Sequence, residues 1–118
     1  MASSERAFSD RVIEQGSLTL RTTPDDGTCR IELIGELDLS TVEALDQELR
    51  RAERQQPSTL VLDLSALDFI DSTGVGFLIE TTSRCHEGGP RLTLVRGSED
   101  VDRIFRITGV HEHLPFSD

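Results

Sequence analysis

One stretch of the chain concentrates groups able to do chemistry: Asp68-Phe69-Ile70-Asp71-Ser72-Thr73-Gly74-Val75-Gly76. A carboxylate, Asp71, stands directly before two hydroxyls, Ser72 and Thr73, and glycines follow at 74 and 76. An apolar run lies upstream and helical spacing lies downstream, so the stretch reads as a strand-to-helix junction. Ligand and partner sites of open α/β sheets collect at such strand ends, and here two hydroxyls stand at the start of a helix. The same residues also suit a plain N-cap, in which Asp71 or Ser72 accepts a first-turn amide. Capping alone does not call for two glycines in the next turn, each about 1 kcal/mol less favourable than Ala in a helix. Missing side chains at Gly74 and Gly76 would instead let another surface approach the backbone. The local pattern leaves both readings open.

A second constellation is Gly35-Glu36-Leu37-Asp38. If it shares a sheet edge with Asp71, then Glu36, Asp38, Asp68 and Asp71 gather carboxylates on one rim. Taken alone, the segment reads as a solvated acidic loop.

Other chemistries lack their parts. A hydrolytic Ser72 would need a base and an oxyanion hole. The histidines, His86, His111 and His113, form no triad pattern, and there is no G-x-S-x-G elbow. His111-x-His113 lacks the carboxylate or cysteine spacing that completes a zinc site, so no metal is expected. Cys29 and Cys85 sit in apolar-periodic segments without CxxC spacing and read as small core residues. All 12 basic residues are Arg, and the absence of Lys removes a P-loop, a Schiff base and a phospho-receiver built on Asp63. The expectation is a non-enzyme without a cofactor.

The elements that position these residues follow from periodicity. Ser17-Leu18-Thr19-Leu20-Arg21 alternates as a half-buried strand, Pro24-Asp25-Asp26-Gly27 is a turn, and Cys29, Ile31 and Leu33 mark a second strand of a hairpin. Ser40-x-x-Glu43 reads as a capping box opening a helix with Val42, Leu45, Leu49 and Ala52 on one face, stopped by Pro57. Leu60-Val61-Leu62-Asp63-Leu64 is a central strand expected to be covered on both faces. A second helix runs from Ser72 to Cys85 with Val75, Leu78, Ile79, Thr82 and Cys85 inward. After Gly88-Gly89-Pro90 come a strand at Leu92-Thr93-Leu94-Val95 and a third helix capped by Ser98 and closed by Gly109. A short strand is expected near Leu114 and Phe116. The order predicts an α/β fold: a mixed, mostly parallel sheet of four to five strands with three helices. Residues 1–16 read as a flexible tail or weak edge segment, and residues 17–118 as one domain.

Composition narrows the partners. The chain has 118 residues, 22 acidic against 12 basic, and a formal charge of −10. A nucleic-acid groove needs positive potential, and with no Trp or Tyr there is little to stack bases on. No run approaches the roughly 20 apolar residues that cross a bilayer, and residues 1–16 hold no secretory h-region. A cytoplasmic protein is expected, with neither nucleic acid nor membrane as partner.

Three segments together resemble the STAS domain, and within it the bacterial anti-sigma factor antagonist family. They are Gly35-Glu36-Leu37-Asp38, the run from Leu62-Asp63-Leu64 through Phe69-Ile70-Asp71-Ser72-Thr73-Gly74-Val75-Gly76, and Ile104-Phe105 through Thr108-Gly109. The resemblance spans residues 17–116. It implies that Ser72 is a phosphate acceptor, with Thr73 the lesser candidate. Asp38 corresponds to a loop residue near the acceptor. Asp38, Leu39, Ser40, Asp71, Ser72, Thr73, Gly74 and Gly76 would form the partner surface. The implied partner is an anti-sigma factor with an ATP-binding serine kinase fold, and a serine phosphatase would reset the modification. A second implication is a STAS regulatory subunit of a membrane transport or stress-signalling assembly. The intact Asp-Ser-Thr-Gly favours the first.

Overall fold

Every second residue of the central strands is aliphatic, and the sheet turns that alternation into a floor. The computed structural model describes residues 10–117. Along it run β1 (Arg11–Gln15), β2 (Leu18–Asp25), β3 (Thr28–Leu37), α1 (Val42–Glu53), β4 (Thr59–Ile70), α2 (Ser72–His86), β5 (Arg91–Val95) and α3 (Glu99–Thr108), then a 3-10 turn at His111–His113. The strands pair in chain order: β1–β2 and β2–β3 antiparallel, β3–β4 and β4–β5 parallel. This is the expected α/β arrangement, a mixed sheet of five strands with three helices among the described residues.

Register builds the core. Leu20 faces Leu33 across β2–β3, Ile31 lies beside Leu62, and Leu62 beside Leu94. Side chains at alternate positions share a face, so Leu18, Leu20, Cys29, Ile31, Leu33, Leu60, Leu62, Leu92 and Leu94, all buried, form one apolar layer. Leu45, Leu49 and Ala52 of α1 and Val75, Leu78 and Cys85 of α2 pack into the same cluster. Burying each large aliphatic side chain contributes about 1.5–3 kcal/mol. Across β2–β4 the opposite face is polar: Arg21 pairs with Glu32 at 3.3 Å, and Arg30 pairs with the buried Asp63. The central strand therefore has an apolar side and, at Asp63, an ionic one. Asp63 is fully engaged by Arg30 and the Ser65 amide.

Several expectations are corrected. Of the two readings of residues 1–16, flexible tail or weak edge segment, residues 11–15 take the second: an edge strand in register with β2, from Arg11 opposite Thr22 to Gln15 opposite Leu18. Ile13 packs against the core, and Gly16, at φ +58°, allows the tight return to β2. The polar composition of this strand hides it, because its outer side faces water. Residues 1–9 of the expected tail lie outside the described residues. The β2–β3 hairpin turns at Asp26 and Gly27, both at positive φ, so Pro24 stays within β2. Positive φ at both corners matches the twist of the flanking strands. Ile79 is 36% exposed and Thr81 takes the inward place. Ser98 does cap α3, accepting from the Val101 amide at 3.3 Å, and Gly109 closes it at φ +77°. Phe116 reaches β5 only as a single parallel bridge to Leu94, held by an edge-to-face contact with Phe105.

Candidate functional site

The carboxyl ends of β3 and β4 lie side by side, Leu37 next to Ile70. In open α/β sheets sites collect at such strand ends. The two loops that leave them, residues 38–41 and residue 71, are tied together. The Asp71 amide donates to the Leu37 carbonyl at 3.2 Å. In return, Asp71 Oδ2 accepts the Leu39 amide at 3.2 Å and Oδ1 accepts the Gly74 amide at 2.9 Å. Asp71 is thus both the N-cap of α2 and the link between loops. The two segments singled out by sequence do share one rim.

Capping by Asp71 settles what Ser72 does not do. Ser72 is the first residue of α2, is exposed, and its hydroxyl has no protein partner among the described residues. The neighbouring Thr73 is half-buried, also without a side-chain hydrogen bond there. First-turn amides have no intrahelical partner. Asp71 claims that of Gly74, its carbonyl takes that of Val75, and those of Ser72 and Thr73 have no partner among the described residues. Helical spacing places Ser72, Gly76 and the exposed Ile79 on one outward face.

The two glycines separate. At Gly74 an added Cβ would lie 2.7 Å from Ile70 Cγ1 and 2.8 Å from the Leu37 carbonyl oxygen. Gly74 is buried, so its bareness serves the closure of the two loops and not the approach of an outside surface. At Gly76 nothing lies within 4 Å of an added Cβ, and the backbone there is open.

Asp38 is half-buried and organises its own loop. Its Oδ1 accepts from the Ser40 hydroxyl at 2.8 Å and the Ser40 amide at 3.0 Å. The Ser40 hydroxyl is the main reason the Asp38 carboxyl titrates below the usual aspartate range; desolvation opposes this, and the Ser40 amide and Thr41 add to it. Ser40 does not form a capping box with Glu43. The helix starts one residue later, at Thr41, which is buried. Thr41 Oγ1 donates to the Glu36 carbonyl at 2.9 Å and accepts the Asp38 amide at 3.0 Å. Asp38-x-x-Thr41 was the sequence signal for this closure, obscured by the more familiar Ser-x-x-Glu. Between Asp38 and Ser40, Leu39 is 75% exposed, an apolar side chain held out by a pinned backbone. Phe69 is also exposed on the same rim, beside Glu36 in the ladder.

The remaining candidates are quiet. Burial pushes the thiols of Cys29 and Cys85 up, which fits core packing. No cluster of three or more metal-ligating side chains forms among the described residues, and none of their helices is long and apolar enough to cross a membrane.

Comparison with known proteins agrees with this geometry. The model of the STAS domain matches residues 19–118. The anti-sigma-B factor antagonist of Staphylococcus aureus is 27% identical over 96 residues, covering 81% of this chain and 89% of that protein. The crystal structure of an anti-sigma factor antagonist from Mycobacterium paratuberculosis superposes with a TM-score of 0.74 at 28% identity, covering 85% of each chain. The anti-sigma factor antagonist SpoIIAA in its unphosphorylated form superposes at 0.68 with 25% identity, over 84% of this chain and 88% of that one. With a hairpin leading into parallel strands, and a capped serine turn where two of them end, the chain belongs to the STAS domain family.

Proposed function

We propose that this protein is an anti-sigma factor antagonist, docking an anti-sigma factor through the rim around Ser72 and released when Ser72 is phosphorylated. The observation that carries the reading is the exposed Ser72 hydroxyl, spared from capping by Asp71. A phosphoryl group added there costs the fold no existing hydrogen bond. It brings about −1.5 to −2 charges to a helix start whose Ser72 and Thr73 amides favour an anion.

Docking responds differently. The surface around the hydroxyl is apolar or bare: Leu39, Thr73, Gly76 and Ile79, with Asp38, Ser40 and Asp71 fixing the backbone beneath. A partner covering it would have to desolvate the phosphate beside Asp71. Burying an uncompensated charge costs roughly 3–5 kcal/mol, a hundredfold or more in affinity. Modification can then break the complex without reshaping the domain. The kinase is the partner itself, an anti-sigma factor of ATP-binding serine kinase fold, and a serine phosphatase restores the hydroxyl. With a formal charge of −10, association is expected with a more basic surface and should slow with salt. All of this would take place in the cytoplasm.

The test is incubation with the cognate anti-sigma kinase and ATP, followed by intact mass and mapping of the modified peptide. The reading expects one phosphate on Ser72, none on Ser72→Ala, and retained binding by Ser72→Ala. An unmodified Ser72, or a membrane ATPase captured in place of an ATP-binding anti-sigma protein, would overturn it.

A further inference from the structure

We propose that the cavity between β1 and α1 is a binding site for a short aliphatic monocarboxylate. Its lining includes Ser40 of the rim but not Ser72, and the inference does not depend on phosphorylation. The cavity holds about 430 Å³, within the 300–1,000 Å³ typical of small-molecule sites.

Its charge is unlike the rest of the chain. Arg11 from β1, Arg51 from the last turn of α1 and Arg54 directly after it line the cavity, against two carboxylates, Glu43 and Glu48. Glu48 is only 2% exposed and already saturated. Its carboxylate accepts from the Thr22 hydroxyl at 2.6 Å and from Arg51 Nε and a terminal Arg51 nitrogen at 3.2 and 3.1 Å. Arg11 approaches it through Nε alone, at 3.5 Å. The terminal nitrogens of Arg11 are therefore unclaimed. Arg54 makes no ion pair among the described residues. Arg50, one turn away, shows the ordinary arrangement: it turns outward and pairs with Asp46 at 3.2 Å.

Three guanidinium groups against two carboxylates leave one surplus positive charge at the cavity wall. Guanidinium edges match a planar carboxylate in a bidentate fork. Ile13 and Ala44 supply an apolar strip beside it, suited to an aliphatic body. Among the described residues no aromatic ring lines the cavity to stack a base, and Glu43 and Glu48 repel a polyphosphate, which disfavours a nucleotide.

Butyrate is the probe, titrated into isotopically labelled protein at constant ionic strength and followed by amide and arginine Nε–H NMR signals. The expected result is saturable shifts confined to residues 11–15 and 43–54, with millimolar affinity, as befits a ligand of so few atoms. Arg54→Gln should weaken binding about three- to tenfold without moving the thermal midpoint, because its side chain holds nothing else in place. Arg50→Gln, the same charge change outside the cavity, should leave binding intact. Shifts no larger than those from chloride, inorganic phosphate displacing butyrate at equal concentration, or equal losses in Arg54→Gln and Arg50→Gln would each overturn the proposal.

Discussion

Asp71 and Glu48 are both carboxylates that tie a helix to a neighbouring segment, and they do so in opposite ways. Glu48 is buried and held by side chains: Thr22 from β2, Arg51 from its own helix and Arg11 from β1. The Glu48 carboxylate is fully occupied, and the cluster fastens α1 to two strands. Asp71 is half-buried and holds only backbone, the amides of Leu39 and Gly74. Its bonds fix the path of two loops while the side chains of Ser72 and Leu39 remain exposed. A locked side-chain network stabilises; a backbone-only anchor presents other side chains in defined positions. The two carboxylates thus differ in what they leave free: the loops held by Asp71 keep side chains exposed, whereas the Glu48 carboxylate is closed in by its own partners.

The largest expected effect falls on the rim. Ser72→Asp should lower affinity for the anti-sigma partner about a hundredfold, read by calorimetry, with the urea midpoint of the free protein nearly unchanged. A matching loss of stability would erase the distinction. At the other cluster, Glu48→Ala removes the acceptor shared by Thr22 and two arginines. The arginines can turn to water, which limits the cost to about 2–3 kcal/mol of unfolding free energy. Partner affinity of the folded fraction should stay within twofold.

The glycines sharpen the contrast inside the rim itself. Gly74→Ala should cost about 1–3 kcal/mol in denaturant unfolding, because the Leu37 carbonyl it meets is backbone and cannot swing aside. Gly76→Ala should raise stability by up to about 1 kcal/mol from helix propensity, while weakening the complex. Stabilisation with undiminished binding would remove Gly76 from the docking surface.

The smallest effect is a pH dependence. Burial works to raise the Glu48 carboxyl, but hydrogen bonds from Arg51 and Thr22 and the charges of Arg51 and Arg11 outweigh it, and its folded value lies below the ordinary one. A depressed carboxyl stabilises above its unfolded value, and that contribution is lost as pH falls through the folded value. Acid titration of stability should therefore steepen below about pH 4.3, and Glu48→Gln should flatten that limb.

Much of this was legible from residue types. The alternation of residues 18–21 and 29–33, the Asp-Ser-Thr-Gly junction, the Ser98 cap and the closing Gly109 rest on local physics and reappear as expected. The edge strand at 11–15 could not be told from a tail, since half-polar residues on an outer strand are patterned by water as much as by core. The start of α1 after Thr41, whose hydroxyl closes the loop and does not cap the helix, is hidden from the sequence because only the closed loop brings the Glu36 carbonyl to that hydroxyl. Gly74 and Gly76 look alike in the sequence. One meets the end of β3 and the other meets nothing, and that difference arises from packing between segments far apart in the chain.

The sequence by itself determined the order of elements and the serine at the strand-to-helix junction, because periodicity, turn residues and caps act over a few neighbours. Only the tertiary structure decided that Asp71 and not Ser72 caps α2, that Leu39 stands out beside it, and that three arginines from β1 and α1 converge on one cavity. The first is a choice between two adjacent cap residues that the local pattern leaves open; the other two depend on residues 30 or more positions apart or on separate elements, which no local pattern encodes.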